Sequence, residues 1–319
     1  MAQTTLTLTL YILLFAFLFG AVFGSYIDCV AWRLVHQEPV ARGRSHCDAC
    51  GHPLGAGDLI PIISYLRSRG HCRYCGAKIS PESSFVELAL GLGFAVLVYK
   101  YDVSFVALRY LGLLVILMGL SLVDQKTYLI PDRFHVAGIL WWLFTLPLIA
   151  YTKGQGLTAA LSTTGAKLPL GNAPGLQDGL GRIIATSASA QATAAMSQAT
   201  SGTALSLPPV QWMLTDLQWG LVSALGIGLF MLLLSLLFEK LTGKESLGGG
   251  DIKLFFMIGL YLRPGVALFN LILSCLVGLF FALGLKKEKL PFGPSISLAT
   301  FFSILFGSEF VAWYTSLIF

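Results

Sequence analysis

The chain has 319 residues, of which 55% are hydrophobic and 12% charged, and it carries a formal net charge of +5. Its mean hydropathy is +0.76. A soluble domain carries about 25% charged residues, so this composition excludes an ordinary soluble globular protein. Several apolar runs approach or reach the roughly 20 residues that a helix needs to cross a bilayer. The expected fold class is an all-α polytopic membrane protein of about eight transmembrane helices.

In chain order, spans are expected at about 6–32, 84–99, 103–123, 135–151, 217–238, 252–262, 266–285 and 295–318. The first run lacks a basic leading segment and a small-residue cleavage site, so it is expected to be a retained span. The 252–262 run is short, and "LRPG" at 262–265 separates it from the next. Two crossings there keep "KKEK" at 286–289 with the other basic loops. With eight spans the 21 basic residues divide 15 to 6 between the two faces. The positive-inside rule makes the richer face cytoplasmic and places both termini outside. The positive charge thus follows from topology and implies the lipid bilayer as partner, with no nucleic acid.

These spans divide the chain into a first transmembrane helix (1–32), a cytoplasmic insert (33–83), helices 2–4 (84–151), an external loop (152–216) and helices 5–8 (217–319). The external loop, with "TSASAQATAAMSQATSGTA", has little apolar or charged material to build a core and is expected to be flexible. The remaining loops, 124–134, 239–251 and 286–294, fall on the cytoplasmic side.

The insert holds four of the six cysteines, as "CDAC" at 47–50 and "CRYC" at 72–75. Two C-x2-C pairs, each followed by a glycine (Gly51, Gly76), place two thiolates on each of two tight turns. That spacing predicts a tetrahedral zinc site of Cys47, Cys50, Cys72 and Cys75. Four thiolates fill zinc's coordination shell, so the metal is expected to be structural. A reducing compartment disfavours disulfides; the bland alternative is four unligated thiols. His46, His52 and His71 lie close enough in sequence to substitute as ligands, though solvated histidines are the simpler expectation. Cys29 and Cys275 read as small buried hydrophobes.

Carboxylates in or beside membrane segments are functional candidates. Asp124 ends the third span in "LSLVDQKTYLIPDRF", and Asp251 opens the sixth in "GGGDIKLFF". Two spans lie between them, so both belong to the same membrane face. Asp124 sits near a helix C-terminus and Asp251 near an N-terminus, which favours an ionised Asp251 acting as base and a protonated Asp124. Such a pair activates water and polarises an amide carbonyl, as in aspartic proteases. Gly248 and Gly250 would let a substrate backbone approach Asp251 and allow unusual backbone angles. Taken alone, "GGGD" also fits a simple helix N-terminal turn. Asp132 is expected in a turn, Glu87 as a cap or partner at the start of the second span, and Asp28 as a hydrogen-bond partner.

In order and spacing, "FGSYIDCVAWRL", the paired C-x2-C insert, "RGHCRYCGAKISPESSFVEL", "SLVDQKTYLIPD", "GGGDIKL" and "PFGPSISLA" carry a resemblance. The chain resembles the type IV prepilin peptidases (prepilin leader peptidase, bifunctional with N-methyltransferase), bacterial membrane aspartic proteases, over all but the 152–216 loop. The resemblance implies Asp124 and Asp251 as the catalytic pair and Gly248 and Gly250 as part of a G-x-G-D signature. It also implies a zinc site on the four cysteines and location in the cytoplasmic (inner) membrane. The substrates it implies are prepilins or pseudopilins, cut after a glycine to release a short basic leader. Methylation of the new N-terminus with S-adenosylmethionine is implied as well, with no residues assigned to that cofactor. Acidic groups of the insert, among them Glu38, Asp48, Asp58 and Glu82, are expected to help receive a basic leader. Two features depart from the family: Asp28 stands where Asn is common, which bears on methylation, and the external loop is long. The alternatives are another G-x-G-D intramembrane protease, for which the Pro-Ala-Leu motif is missing, and a non-enzymatic transporter or zinc-bearing scaffold. The residues do not separate pilus from type II secretion substrates and leave oligomeric state open.

Overall fold

The computed structural model describes residues 2–40, 43–163, 208–243, 248–285 and 291–318. Among them the chain is almost wholly helical. The helices are α1 (Ala2–Val35), α2 (Ile63–Ser68), α3 (Glu82–Tyr101), α4 (Phe105–Thr127) and α5 (Asp132–Thr163). They continue with α6 (Pro208–Thr242), α7 (Gly249–Tyr261), α8 (Pro264–Leu285) and α9 (Gly293–Ile318). Helices are what such a sequence must form in lipid, where each backbone N–H and C=O needs a partner within its own segment. Ser104 caps α4 by accepting the Ala107 N–H at 3.1 Å, and Pro131 precedes α5.

Seven of the described helices are long and apolar enough to cross a membrane. Of the eight expected spans, the remaining one corresponds to α7. With 13 residues it is about 20 Å long, against a hydrocarbon core of about 30 Å. It nevertheless runs from one end of the bundle toward the other. Its first turn lies beside the start of α5, where Lys253 pairs with Asp132 at 2.7 Å. Just beyond it, Gly265 packs on Val311, eighteen positions, or about 27 Å, along α9 from Gly293. The extended Leu262 and the following residues complete the distance that the short helix leaves.

The chain divides into two units, Met1–Ile149 with Thr215–Phe319, and Ala150–Leu214. In the smaller unit, helix continues through Thr163 and resumes at Pro208, inside both ends of the stretch expected as an external loop. The flexibility expected for that loop concerns residues 164–207, which lie outside the described residues.

In the larger unit α1 packs on α3 and α4, and α9 on α4 and α8. The α1–α3 seam is close because Gly24 has no side chain: a Cβ there would lie 2.7 Å from the Glu87 Cα. Small residues of this kind let helix backbones approach in membranes. At one end of the bundle the Lys100 ammonium pairs with Glu309 at 2.7 Å and also meets the Leu305 carbonyl. The Tyr101 hydroxyl donates to the Ile304 carbonyl at 2.6 Å. The outer surface is apolar, with Leu225, Leu229, Phe280 and Leu283 each more than half exposed. A soluble monomer rarely exposes so much apolar surface.

Candidate active site and metal centre

The insert between α1 and α3 is built on two equivalent turns. In the first, the Gly51 N–H donates to the Cys47 carbonyl at 2.8 Å; in the second, the Gly76 N–H donates to the Cys72 carbonyl at 2.9 Å. Gly51 and Gly76 have φ of 69° and 71°, a region that favours glycine. Matching bridges, His46 with Pro53 and His71 with Lys78, close the two turns. The Sγ atoms of Cys47, Cys50, Cys72 and Cys75 all lie within 4.8 Å of one another. The Cys47–Cys75 separation is 3.9 Å. A tetrahedral zinc with Zn–S of about 2.3 Å requires S–S edges of about 3.8 Å, so the four thiols fit the metal. Backbone N–H groups of Tyr74 and Cys75 draw the Cys72 thiol down to about 7, while Cys75, despite the Ala77 backbone, is pushed up to about 11 by the neighbouring thiols, so the cluster shares its protons.

The three histidines stand outside this cluster. The His52 ring lies tilted against Tyr74 with centroids 3.7 Å apart, His46 meets Trp32 edge-on, and His71 Nδ1 lies 2.8 Å from the Arg69 carbonyl. Asp58 ties the insert together by accepting Arg73 and Tyr74 at 3.0 Å each and the Gly55 N–H at 3.2 Å. Arg73, with Tyr74 and that N–H, holds the Asp58 carboxyl below the usual carboxylate range. Glu82 is paired with Lys126 at 3.3 Å. Asp58 and Glu82, expected to receive a basic leader, are therefore already neutralised within the chain. Of the two remaining cysteines, Cys275 is exposed on the bundle surface and Cys29 half-buried, so neither is a fully buried hydrophobe.

The aspartates are positioned by four helices. Asp124 lies on the last full turn of α4 and is 4% exposed. The helix stops at Tyr128, whose φ is 54° and whose N–H returns to the Asp124 carbonyl. Asp251 lies in the first turn of α7, its N–H donating to the Gly248 carbonyl at 3.0 Å. The two carboxylates, 127 positions apart in sequence, are close enough for the charge on Asp124 to act on Asp251.

The glycines divide their roles. None of Gly248, Gly249 and Gly250 adopts a positive φ, so unusual backbone angles are not their purpose. A Cβ on Gly249 would meet nothing within 4 Å, and one on Gly248 would sit 3.6 Å from the Asp251 carboxylate. Gly250 is packed instead, its missing Cβ 3.2 Å from Ile130. Open space beside Asp251 is thus found at Gly248 and Gly249, while Gly250 lets α7 seat against the loop before α5.

Two further neighbours, Gly293 and His135, are not among the site residues expected from the sequence. The Gly293 N–H, at the start of α9, donates to Asp124 Oδ2 at 2.8 Å. That bond and the α9 N-terminus favour negative charge on Asp124, opposing the protonated Asp124 expected from α4 alone. His135, buried on the first turn of α5, faces the Gly250 backbone, with Nδ1 3.8 Å from Asp132. The "PFGP" before α9 was the available signal for Gly293. Asp132 pairs with Lys253, and Glu87 accepts the Ile62 N–H at 2.7 Å, holding a β-branched residue at φ 61°.

Two family models match parts of the chain. The bacterial peptidase A24 N-terminal domain family matches residues 18–101, the segment holding the cysteine insert. The type IV leader peptidase family matches residues 197–283, which include Asp251. The chain belongs to the type IV leader peptidase family. Asp124 lies outside both matched segments. Among similar curated proteins, the prepilin leader peptidase/N-methyltransferase of Aeromonas salmonicida (strain A449) is 29% identical, covering 86% of this chain and 75% of that protein. The protein of the same name from Pseudomonas putida is 26% identical over 95% of this chain and 93% of its own length. That from Neisseria gonorrhoeae is 26% identical over 84% and 72%. No solved structure matches the chain. This family member is a multi-pass membrane peptidase.

Proposed function

We propose that the chain is an aspartic endopeptidase of the bacterial inner membrane that cleaves the leader from prepilins or pseudopilins and N-methylates the new terminus. The observation that carries the peptidase reading is that Asp251 feels the charge of Asp124, at the end of the bundle where the Gly293 N–H donates to Asp124 Oδ2. In this reading Asp124 is ionised and takes a proton from the attacking water. Asp251 holds the proton of the pair and donates it toward the substrate carbonyl oxygen. Collapse of the gem-diol then moves the proton from Asp124 to the departing amine and returns one hydroxyl proton to Asp251, breaking the C–N bond and restoring the pair. The protons belong to the pair as a whole.

The excess of basic residues on the loops at this end supports a cytoplasmic orientation for the site. The four cysteines would hold a structural zinc, which supplies a cross-link within an insert too small for a core of its own. S-adenosylmethionine, when bound, supplies the methyl group for the second activity named in the relatives.

The deciding experiment is cleavage of a purified prepilin by the wild type, Asp124→Asn and Asp251→Asn in detergent. Each substitution should reduce the rate at least about a thousandfold, with zinc content and thermal unfolding unchanged. Wild-type cleavage by either variant would sink the two-aspartate mechanism.

A further inference from the structure

Most exposed apolar side chains lie on the long helices, but one group lies on the cysteine insert. Ile60, Ile63 and Leu66, just before and along α2, are 43, 57 and 69% exposed. The other side of the same segment is occupied. Ser64, Tyr65 and Ser68 line the space between the insert and α1, and the Tyr65 ring packs on Gly70. The outward face is therefore apolar, and it ends in Arg67 and Arg69. Both arginines are exposed and have no carboxylate partner among the described residues.

The height of this face relative to a bilayer is set by α3. That helix has 20 residues, about 30 Å, which matches the hydrocarbon core, so Glu82 stands at the boundary. Glu87 lies about 7.5 Å farther in, and helical side chains lean back toward the N-terminus. The Ile62 N–H donates to Glu87 Oε2 at 2.7 Å, which puts Ile62 near the level of the first turn of α3. Phe85 on that turn is already 71% exposed, as a lipid-facing side chain is. The tie is specific. Ile62 holds a φ of 61°, which a β-branched residue rarely adopts and which persists only where the surroundings hold it.

An exposed apolar cluster rimmed by charge marks an interaction surface, and its placement names the occupant. The face sits at headgroup depth and continues the lipid-facing surface of α3 through the Ile62–Glu87 bond. Its two arginines match phosphate-bearing headgroups. A soluble partner would have to displace lipid to reach it.

We propose that residues 60–69 rest in the interfacial layer of the bilayer, with Ile60, Ile63 and Leu66 among the upper acyl chains and Arg67 and Arg69 on anionic phospholipid headgroups. The insert is then held at the membrane by an apolar wedge of its own as well as by the two helices that carry it. The wedge limits how far the metal centre can move from the end of the bundle.

The test uses the full chain in nanodiscs of phosphatidylcholine with phosphatidylglycerol as the minority lipid. The photo-crosslinker p-benzoylphenylalanine replaces Ile63 or Leu66 or, as a lipid-facing reference, Leu276 on α8, which is also more than half exposed. Thermal unfolding checks each labelled chain, and intact mass after illumination identifies the adduct. Ile63 and Leu66 should both give phospholipid adducts in yields comparable to that at Leu276. At Leu66, phosphatidylglycerol should be enriched at least about threefold over its share of the disc, and Arg67→Gln with Arg69→Gln should abolish that enrichment. Phospholipid adducts at Leu276 with none at Ile63 and Leu66 would overturn the proposal. So would adducts at these two positions to a second copy of the chain or to added prepilin in place of lipid. Lipid adducts without phosphatidylglycerol enrichment would overturn the part assigned to the arginines.

Discussion

Replacing Gly293 with alanine tests how Asp124 is held. An ideal Cβ at this position would lie 2.7 Å from Asp124 Oδ2, 3.2 Å from Asp124 Cβ and 3.1 Å from Leu120 Cδ2. Ordinary van der Waals contact begins near 3.4 Å, so the carboxylate must move by about 0.5 Å or more or α9 must shift, and either distorts the 2.8 Å Gly293 hydrogen bond. A hydrogen bond to a charged group contributes about 1.5–3 kcal/mol, equivalent to about 10- to 150-fold in rate. A misplacement of about 1 Å at a reacting group costs about a hundredfold. Gly293→Ala should therefore lower kcat for prepilin cleavage about 10- to 100-fold, with KM nearly unchanged because the residue positions Asp124. Steady-state kinetics with a purified prepilin, alongside thermal unfolding, separates this from general destabilisation. A Gly293→Ala enzyme within about threefold of wild-type kcat would refute the claim that the α9 N-terminus orients Asp124.

Two further outcomes follow from the packing. The purified chain should contain one zinc, and its removal by a strong chelator, or Cys72→Ser, should make residues 43–81 sensitive to limited proteolysis while the helical signal in circular dichroism persists; an insert equally resistant without metal would remove the structural role of the four cysteines. Gly24→Val should force α1 away from α3, because even its Cβ would fall 2.7 Å from the Glu87 Cα. Overpacking of this kind costs about 1–3 kcal/mol, and an unchanged thermal midpoint would contradict the close seam.

The long spans are legible in the sequence because apolar length alone determines them in lipid, and the metal centre because both halves of each C-x2-C pair are local. The aspartates are legible only as candidates on one face, since crossing number fixes a side and not a contact. A partner of Asp124 comes from 169 positions away, where the Gly293 N–H reaches its carboxylate; no local pattern on α4 encodes that donor. The three consecutive glycines illustrate the same limit. Composition marks all of them as permissive, while packing leaves Gly249 open and presses Gly250 against Ile130. Residues 262–265 signal the break before α8 correctly, yet the length of α7 depends on where neighbouring helices receive its ends.

The shortness of α7 has a consequence for the enzyme as a membrane object. A helix about 10 Å shorter than the hydrocarbon core, carrying Asp251 at its first turn, draws polar chemistry inward from the headgroups or draws the headgroups down to it. Its sides meet protein and not lipid, since Leu254, Phe255, Met257, Ile258 and Leu260 are buried, and the extended Leu262 and the residues after it span the remaining distance. The surrounding helices thus carry the whole contact with acyl chains, and a helix too short to cross alone is held at depth by its neighbours.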